Sequence, residues 1–143
     1  MRPRRPIKYN SEAMLHQQIT EYLKIRYPHV LFRTDFAAGL KLSMQQAILH
    51  KKLQASRAWP DLQVAEKSHV LYGEYPGLFI ELKADGVELY KKDGTLRKNE
   101  HYEEQAAMLQ RLRDRGYKAE FAVGFVQARK LIDEYLTGGS PLF

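Results

Sequence analysis

Asp61, Glu81 and Lys83 are the residues of this 143-residue chain whose types and spacing best suit joint chemistry. Asp61 lies in Trp59-Pro60-Asp61-Leu62-Gln63-Val64, where Leu62 and Val64 alternate with Asp61 and Gln63. Glu81 and Lys83 lie in Leu78-Phe79-Ile80-Glu81-Leu82-Lys83, where three aliphatic residues alternate with Phe79, Glu81 and Lys83. Period-two alternation predicts two strands. Successive strand side chains point to opposite faces, so Glu81 and Lys83 share a face, roughly 7 Å apart along the backbone. If the strands pair through the turn around Tyr72-Gly73-Glu74-Tyr75-Pro76-Gly77, Asp61 joins them. Two carboxylates offer hard oxygen ligands for Mg²⁺ or Mn²⁺, which keeps waters and completes its shell with substrate phosphate. A metal so held polarises a phosphoryl group and acidifies a bound water. A neighbouring lysine orients that water or offsets charge growing on the phosphate. Glu-x-Lys alone is short and common, and its ordinary reading is a surface ion pair of small energy. Pro60-Asp61 at the start of the preceding strand shifts the reading towards a site.

Helices must hold these strands in place. Asn10 or Ser11 caps a helix predicted to run to about Tyr27 and to end at Pro28. Its apolar stripe is Leu15, Ile19, Tyr22, Leu23 and the stem of Arg26. Glu12 lies on that stripe, where it either complements the helix dipole or reaches the carboxylates. His16 reads as a packing residue. Residues 30–34 form the first strand, 35–39 a loop, and Ser43 caps a second helix to Gln54 bearing Met44, Ala47, Ile48 and Leu53. Lys41, Lys51, Lys52 and Arg57 cluster around that helix, as a solvated face or as a grip on a phosphate backbone. Asp85-Gly86 and Asp93-Gly94 are turn signals around a possible short strand, Val87 to Tyr90, predicting a mobile hairpin or flap. Tyr90, Lys91, Lys92, Arg97 and Lys98 mix a stacking ring with phosphate-binding charge, a composition that an ordinary polar loop shares. Asn99 to Arg115 reads as a third helix with Gly116 beyond its end. Gln105 falls on its inward stripe with Met108, Leu109 and Leu112. A buried amide without partners costs about 1–3 kcal/mol, so Gln105 bonds something specific, a backbone group being the plainest choice. Lys118 to Val123 reads as a strand with Ala119, Phe121 and Val123 on one face. Phe125 to Leu136 reads as a helix with Ala128, Leu131, Ile132 and Tyr135 inward. The order is helix, strand, helix, two strands, helix, strand and helix, an α/β arrangement around a small mixed sheet.

Composition sets the outer bounds. The length suits one domain with a single core, predicted over 10–137 with a flexible basic arm at 1–9 and a flexible tail at 138–143. Lys and Arg total 23 against 17 acidic residues, a net charge of +6 that suits a polyanionic partner. The absence of cysteine excludes disulfides, thiol nucleophiles and thiolate metal sites. No apolar run approaches a membrane span, and the basic start lacks the apolar core of a signal peptide, so an intracellular protein (cytoplasm or nucleoid) is expected. No nucleophile elbow, Walker loop or dinucleotide fingerprint is present. The five histidines lack metal-ligand spacing, although His101, one turn before Gln105, can lie near a substrate.

Taken in order, Pro60-Asp61 and Glu81-Leu82-Lys83 resemble the PD-(D/E)XK nuclease signature. Gln105 on the next helix, followed by Leu109, Leu112 and Gly116, is similar to the VRR-NUC branch of that superfamily. The resemblance spans about Ser11 to Phe125. Trp59 departs from it, since a small residue, often glycine, is expected before Pro60. The resemblance implies a restriction-endonuclease-like core. It implies Mg²⁺ or Mn²⁺ held by Asp61 and Glu81, with the Leu82 carbonyl as a third oxygen and Glu12 joining the shell. Lys83 would assist the attacking water and the transition-state charge, and Gln105 would orient. The implied activity is metal-dependent cleavage of DNA, structure-specific for branched DNA such as four-way junctions. Cutting two strands in turn implies a homodimer. Two other functions fit: a non-catalytic DNA-binding scaffold, against which the intact Asp61, Glu81 and Lys83 speak, and a restriction-type sequence-specific endonuclease, for which little chain remains to read bases.

Overall fold

Four strands form one sheet in the order β1-β2-β3-β4: β1 (Phe32–Thr34), β2 (Leu62–Val64), β3 (Leu78–Lys83) and β4 (Lys118–Val123). The computed structural model describes residues 11–35, 43–53 and 58–139. The expected arm at 1–9, the Asn10 cap, most of the 35–39 loop, Lys41, Arg57 and residues 140–143 of the tail lie outside them. β1 pairs antiparallel with β2, and β2 antiparallel with β3 in a register that sets Leu62 against Ile80. β3 and β4 are parallel, with Glu81 beside Phe121 and Lys83 beside Val123. A parallel pair needs a crossover connection. Here it is α3 (Glu100–Asp114), while α1 (Ser11–Arg26) and α4 (Gly124–Thr137) cover the opposite face.

The period-two pattern of β3 sorts its side chains between two cores. Leu78, Ile80 and Leu82 pack with Leu15, Ile19 and Leu23 of α1 and with Ala128, Ile132 and Tyr135 of α4. Phe79 points the other way, into a smaller cluster with Ala58, Met108, Leu109, Leu112 and Ala119. Glu81 and Lys83 continue that second face, beyond the point where its apolar cluster stops. Covered on both faces and flanked by strands at both edges, β3 buries all six residues.

The ends of α3 follow from local chemistry. Asn99 is the N-cap, and its side chain accepts from the amides of His101 and Tyr102. Gly116, at φ +91°, takes the left-handed conformation that ends the helix. The stripe Gln105, Met108, Leu109, Leu112 is buried as its spacing predicts.

Three expectations change. The strand predicted at 30–34 is regular only over Phe32–Thr34, although the Leu31 carbonyl still accepts from the amide of Ala65. The segment Val87 to Tyr90 is not a strand. The hairpin there has one bridged pair, Tyr90 with Leu96, supported by backbone bonds across its turn, by the Arg97–Glu88 ion pair and by buried Leu89 as its anchor. The helix predicted from Ser43 forms as α2 (Met44–Leu53), started by a reciprocal Ser43/Gln46 capping box. None of its residues is buried, and Met44, Ile48, Leu49 and Leu53 are exposed. Helical spacing in α2 reflects its local signals and does not mark a core face.

Candidate active site

Asp61 sits at the bend that opens β2, where main-chain and side-chain bonds fix it. Its carbonyl accepts from the amide of Asp35 at 2.7 Å, extending the β1–β2 ladder by one step. Its carboxylate Oδ2 accepts from the amide of Leu82 at 3.0 Å, tying it to β3. The antiparallel register brings it alongside Glu81, and the two carboxyl groups are hydrogen-bonded to each other. Both are buried, with Glu81 only 4% exposed.

The electrostatics of this pair decide its protonation. Burial pushes the Glu81 carboxyl far above the ordinary carboxylate range, and the adjacent Asp61 charge pushes it further; Lys83 offsets only part. Burial also raises Asp61, against which the Glu81 hydrogen bond, His16 and the Leu82 amide act. Two like charges at this separation in a dry site do not both ionise. The pair therefore retains one proton across its hydrogen bond, and the stronger upward push on Glu81 favours that residue as its holder.

Lys83 and Gln105 complete the cluster. Lys83 Nζ donates to Gln105 Oε1 at 2.6 Å, and Gln105 Nε2 donates to Glu81 Oε1 at 2.8 Å. Lys83 Nζ also lies 4.0 Å from Glu81 Oε1. These contacts set the amide orientation, because a flipped Gln105 would turn its NH₂ to the ammonium and its oxygen to a carboxyl oxygen. Lys83 is only 7% exposed and Gln105 is buried, so each serves as the other's partner in place of water.

Three side chains outside the sequence-derived set close around it. The Tyr102 ring lies 4.8 Å from Lys83 Nζ, a cation–π contact. His101 Nε2 lies 3.2 Å from Gln105 Nε2 and accepts its second N–H when neutral. His16, expected to be a packing residue, is buried on α1 with Nε2 4.0 Å from Asp61 Oδ2. A signal was present in the sequence. His101 and Tyr102 precede Gln105 by four and three residues, and His16 follows Glu12 by four, so each pair shares a helix face.

Glu12 is half-buried at the start of α1, and its charge raises the carboxyl pKa of both Asp61 and Glu81. Among the described residues no group of three acidic or histidine side chains has metal-holding geometry. The carboxyl groups that lie together here are those of Asp61 and Glu81. That set fits Mg²⁺ or Mn²⁺, which binds through one or two carboxylates and keeps the rest of its shell for water and phosphate. A buried pair that must retain a proton is also a place where a cation can take that proton's role.

The basic residues singled out from sequence are more scattered. Lys51 and Lys52 are exposed on α2, none of whose residues is buried. Tyr90, Lys91, Lys92, Arg97 and Lys98 are exposed on the hairpin, and Arg97 is paired with Glu88 at 2.6 Å. A cleft of about 540 Å³ between α1 and α4 contains none of the cluster. Asp133, in that cleft, accepts from the hydroxyls of Tyr22 and Tyr27.

No helix of the described residues is long and apolar enough to cross a membrane. No family model matches the sequence, and no curated protein matches it. A solved structure described as a VRR_NUC domain protein superposes with a TM-score of 0.57 and is 23% identical, covering 95% of this chain and 100% of its own. A four-stranded mixed sheet between α1/α4 and α3, together with that likeness, gives this chain a VRR-NUC-like α/β fold.

Proposed function

We propose that this protein is a metal-dependent nuclease that hydrolyses DNA phosphodiester bonds. The observation that carries the proposal is the buried set of Asp61, Glu81, Lys83 and Gln105, joined by hydrogen bonds of 2.6 and 2.8 Å at one end of β3. Buried ionisable groups arranged to perturb one another are characteristic of catalytic centres. Asp61 and Glu81 would hold Mg²⁺ or Mn²⁺, with the Leu82 carbonyl as a further oxygen donor; Glu12, which forms no metal-holding group with them as the helix now sits, would join only on a shift of the start of α1. The metal, when bound, supplies a Lewis acid for the phosphoryl oxygen and a water of lowered pKa.

The chain's own residues have separate tasks. Glu81 gives up its proton when the site is charged, so both carboxylates act as anions. Gln105 holds the Lys83 ammonium through Oε1 and the Glu81 carboxyl through Nε2, fixing the angle between base-side and phosphate-side groups. Lys83 orients the attacking water and offsets the charge that develops on the phosphate. The Tyr102 ring adds a cation–π contact that helps to keep the ammonium in place. The net charge of +6 supports a polyanionic substrate. Branched DNA as the preferred substrate, and a two-fold homodimer to cut two of its strands, extend the resemblance and remain part of this proposal.

The test is cleavage of end-labelled single strand, duplex, flap and four-way junction with Mg²⁺, Mn²⁺ or EDTA, by wild type and Lys83→Ala. Metal-dependent cutting that Lys83→Ala removes is the expected result, with the junction cut fastest. Binding of these DNAs without cutting under either metal would replace catalysis by a scaffold role.

A further inference from the structure

Trp59 is a large aromatic residue left 43% exposed two positions before Asp61. Exposed tryptophan is uncommon, because the ring gives up more apolar burial than any other side chain would. Its placement is not loose. The indole meets Phe79 edge to face at 5.5 Å and 88°, and Phe79 meets Tyr117 edge to face at 5.1 Å and 87°. One part of the indole is thus seated on a rigid aromatic pair while the remainder faces solvent. Pro60 restricts Trp59 to extended backbone, which removes further freedom.

The location relative to the carboxylates is equally defined. Phe79 shares the α3-side face of β3 with Glu81 and Lys83. Trp59 is two residues from Asp61, at most about 7 Å of chain. A stacked nucleic-acid strand rises about 3.4 Å per nucleotide, so that span corresponds to about two nucleotides from a phosphate that would be bound through a metal on the Asp61–Glu81 pair.

We propose that Trp59 stacks on an unpaired base within about two nucleotides of the scissile phosphate, and so selects DNA whose bases are accessible beside the cut. The proposal rests on the nuclease reading and narrows its substrate class. Inside a continuous duplex every base face is already stacked on its neighbours, and a protein surface meets only phosphates and groove edges. A free base face exists in a single strand, at a flap or at an opened branch, and an indole is a sequence-tolerant platform for it. Substrates of that kind gain the stacking contact, while continuous duplex does not.

The chain contains a single tryptophan, so its emission reports this contact directly. Full-length Lys83→Ala, or wild type with Ca²⁺ in place of Mg²⁺, is titrated with a single strand, a flap and a duplex whose ends are closed by non-nucleotide (ethylene glycol) linkers, which leave no unpaired base. DNA anisotropy records binding in the same samples. Emission should be quenched in step with binding for the single strand and flap, and should stay unchanged for the closed duplex. In cleavage, Trp59→Ala should lower kcat/KM on single strand and flap by roughly 5- to 150-fold, the range expected for loss of one base–aromatic stack. The closed duplex should be affected far less, and Trp59→Phe should recover most of the loss. Binding by anisotropy with unchanged emission would overturn the stacking role and leave the nuclease reading standing. An equal loss on all substrates would make Trp59 merely structural and overturn it too. An emission change on concentrating the protein without DNA would assign the ring to a contact between copies. Failure to bind any DNA would remove both readings.

Discussion

Glu81→Gln should make the metal-free protein more stable at pH 8 and leave it nearly unchanged at pH 5. Burial, and then the neighbouring Asp61, raise the Glu81 carboxyl far above its ordinary value of 4.5. A raised native pKa means that the folded state keeps a proton the unfolded chain has released. Its stabilising contribution is complete below about pH 4.5 and is lost as pH rises towards the native value. At pH 8, about 3.5 units above the ordinary value, holding that proton costs at most about 5 kcal/mol at about 1.4 kcal/mol per unit. Relaxation and water entry reduce this, so a gain of about 1–4 kcal/mol is expected. The introduced amide mimics the protonated carboxyl: its oxygen accepts from Gln105 Nε2 as Glu81 Oε1 does, and its NH₂ donates to Asp61 as the carboxyl proton does. For a domain of this size that gain corresponds to a Tm rise of roughly 3–12 °C. Calorimetry or urea unfolding in EDTA at pH 5, 6, 7 and 8 measures it. Mn²⁺ should stabilise the wild type more at pH 8 than at pH 6, and should stabilise the variant little. A variant less stable than wild type at pH 8, or a gap that does not shrink on acidification, would refute the assignment of the proton to Glu81.

Gln105→Ala should cost about 1–3 kcal/mol in urea unfolding, because Lys83 Nζ and Glu81 Oε1 lose buried partners at 2.6 and 2.8 Å. Its cleavage rate should fall further than that loss of stability explains. Tyr27→Phe and Tyr22→Phe each remove a hydroxyl that donates to Asp133, and each should cost about 1 kcal/mol. Their double variant should be non-additive, because the two share one carboxylate oxygen. Burial and then Asp133 raise the Tyr27 phenol above the ordinary tyrosine value, so ultraviolet titration should show it ionising after exposed tyrosines, until Asp133→Asn lowers it. Gly138→Ala should destabilise the fold by about 1 kcal/mol or more. The residue closes α4 at φ +78°, and an added Cβ would meet the His69 ring. Thermal unfolding would show it, and an unchanged Tm would contradict the contact.

Much of the fold is legible from pattern alone because its signals are local. The alternation in Leu78 to Lys83, the Asn99 cap and the spacing from Gln105 to Leu112 each depend on residues a few positions apart, and each forms where predicted. α2 marks the limit of such signals. Ser43 and Gln46 start the helix as their types dictate, but nothing in ten residues says whether another layer will cover Met44, Ile48 and Leu53, and among the described residues none does. The short strand expected at Val87 to Tyr90 failed for a related reason. Strand propensity needs a partner ladder, and the hairpin supplies one bridge.

The sequence by itself determined that Asp61, Glu81 and Lys83 are present, that Glu81 and Lys83 share a face, and that Gln105 points inward. Those facts follow from the two- and 3.6-residue periods of the backbone. Tertiary structure alone decided that the cluster is dry. β3 is central in its sheet and covered on both faces, so groups that alternation would place on one polar face are instead buried, Glu81 at 4% exposure. It also brought His16 from α1 to Asp61 and Tyr102 from α3 to Lys83, contacts between residues 45 and 19 positions apart. The periodicity of a strand fixes the direction of a side chain. The dielectric around it, and hence which carboxyl keeps a proton, depends on what packs over it.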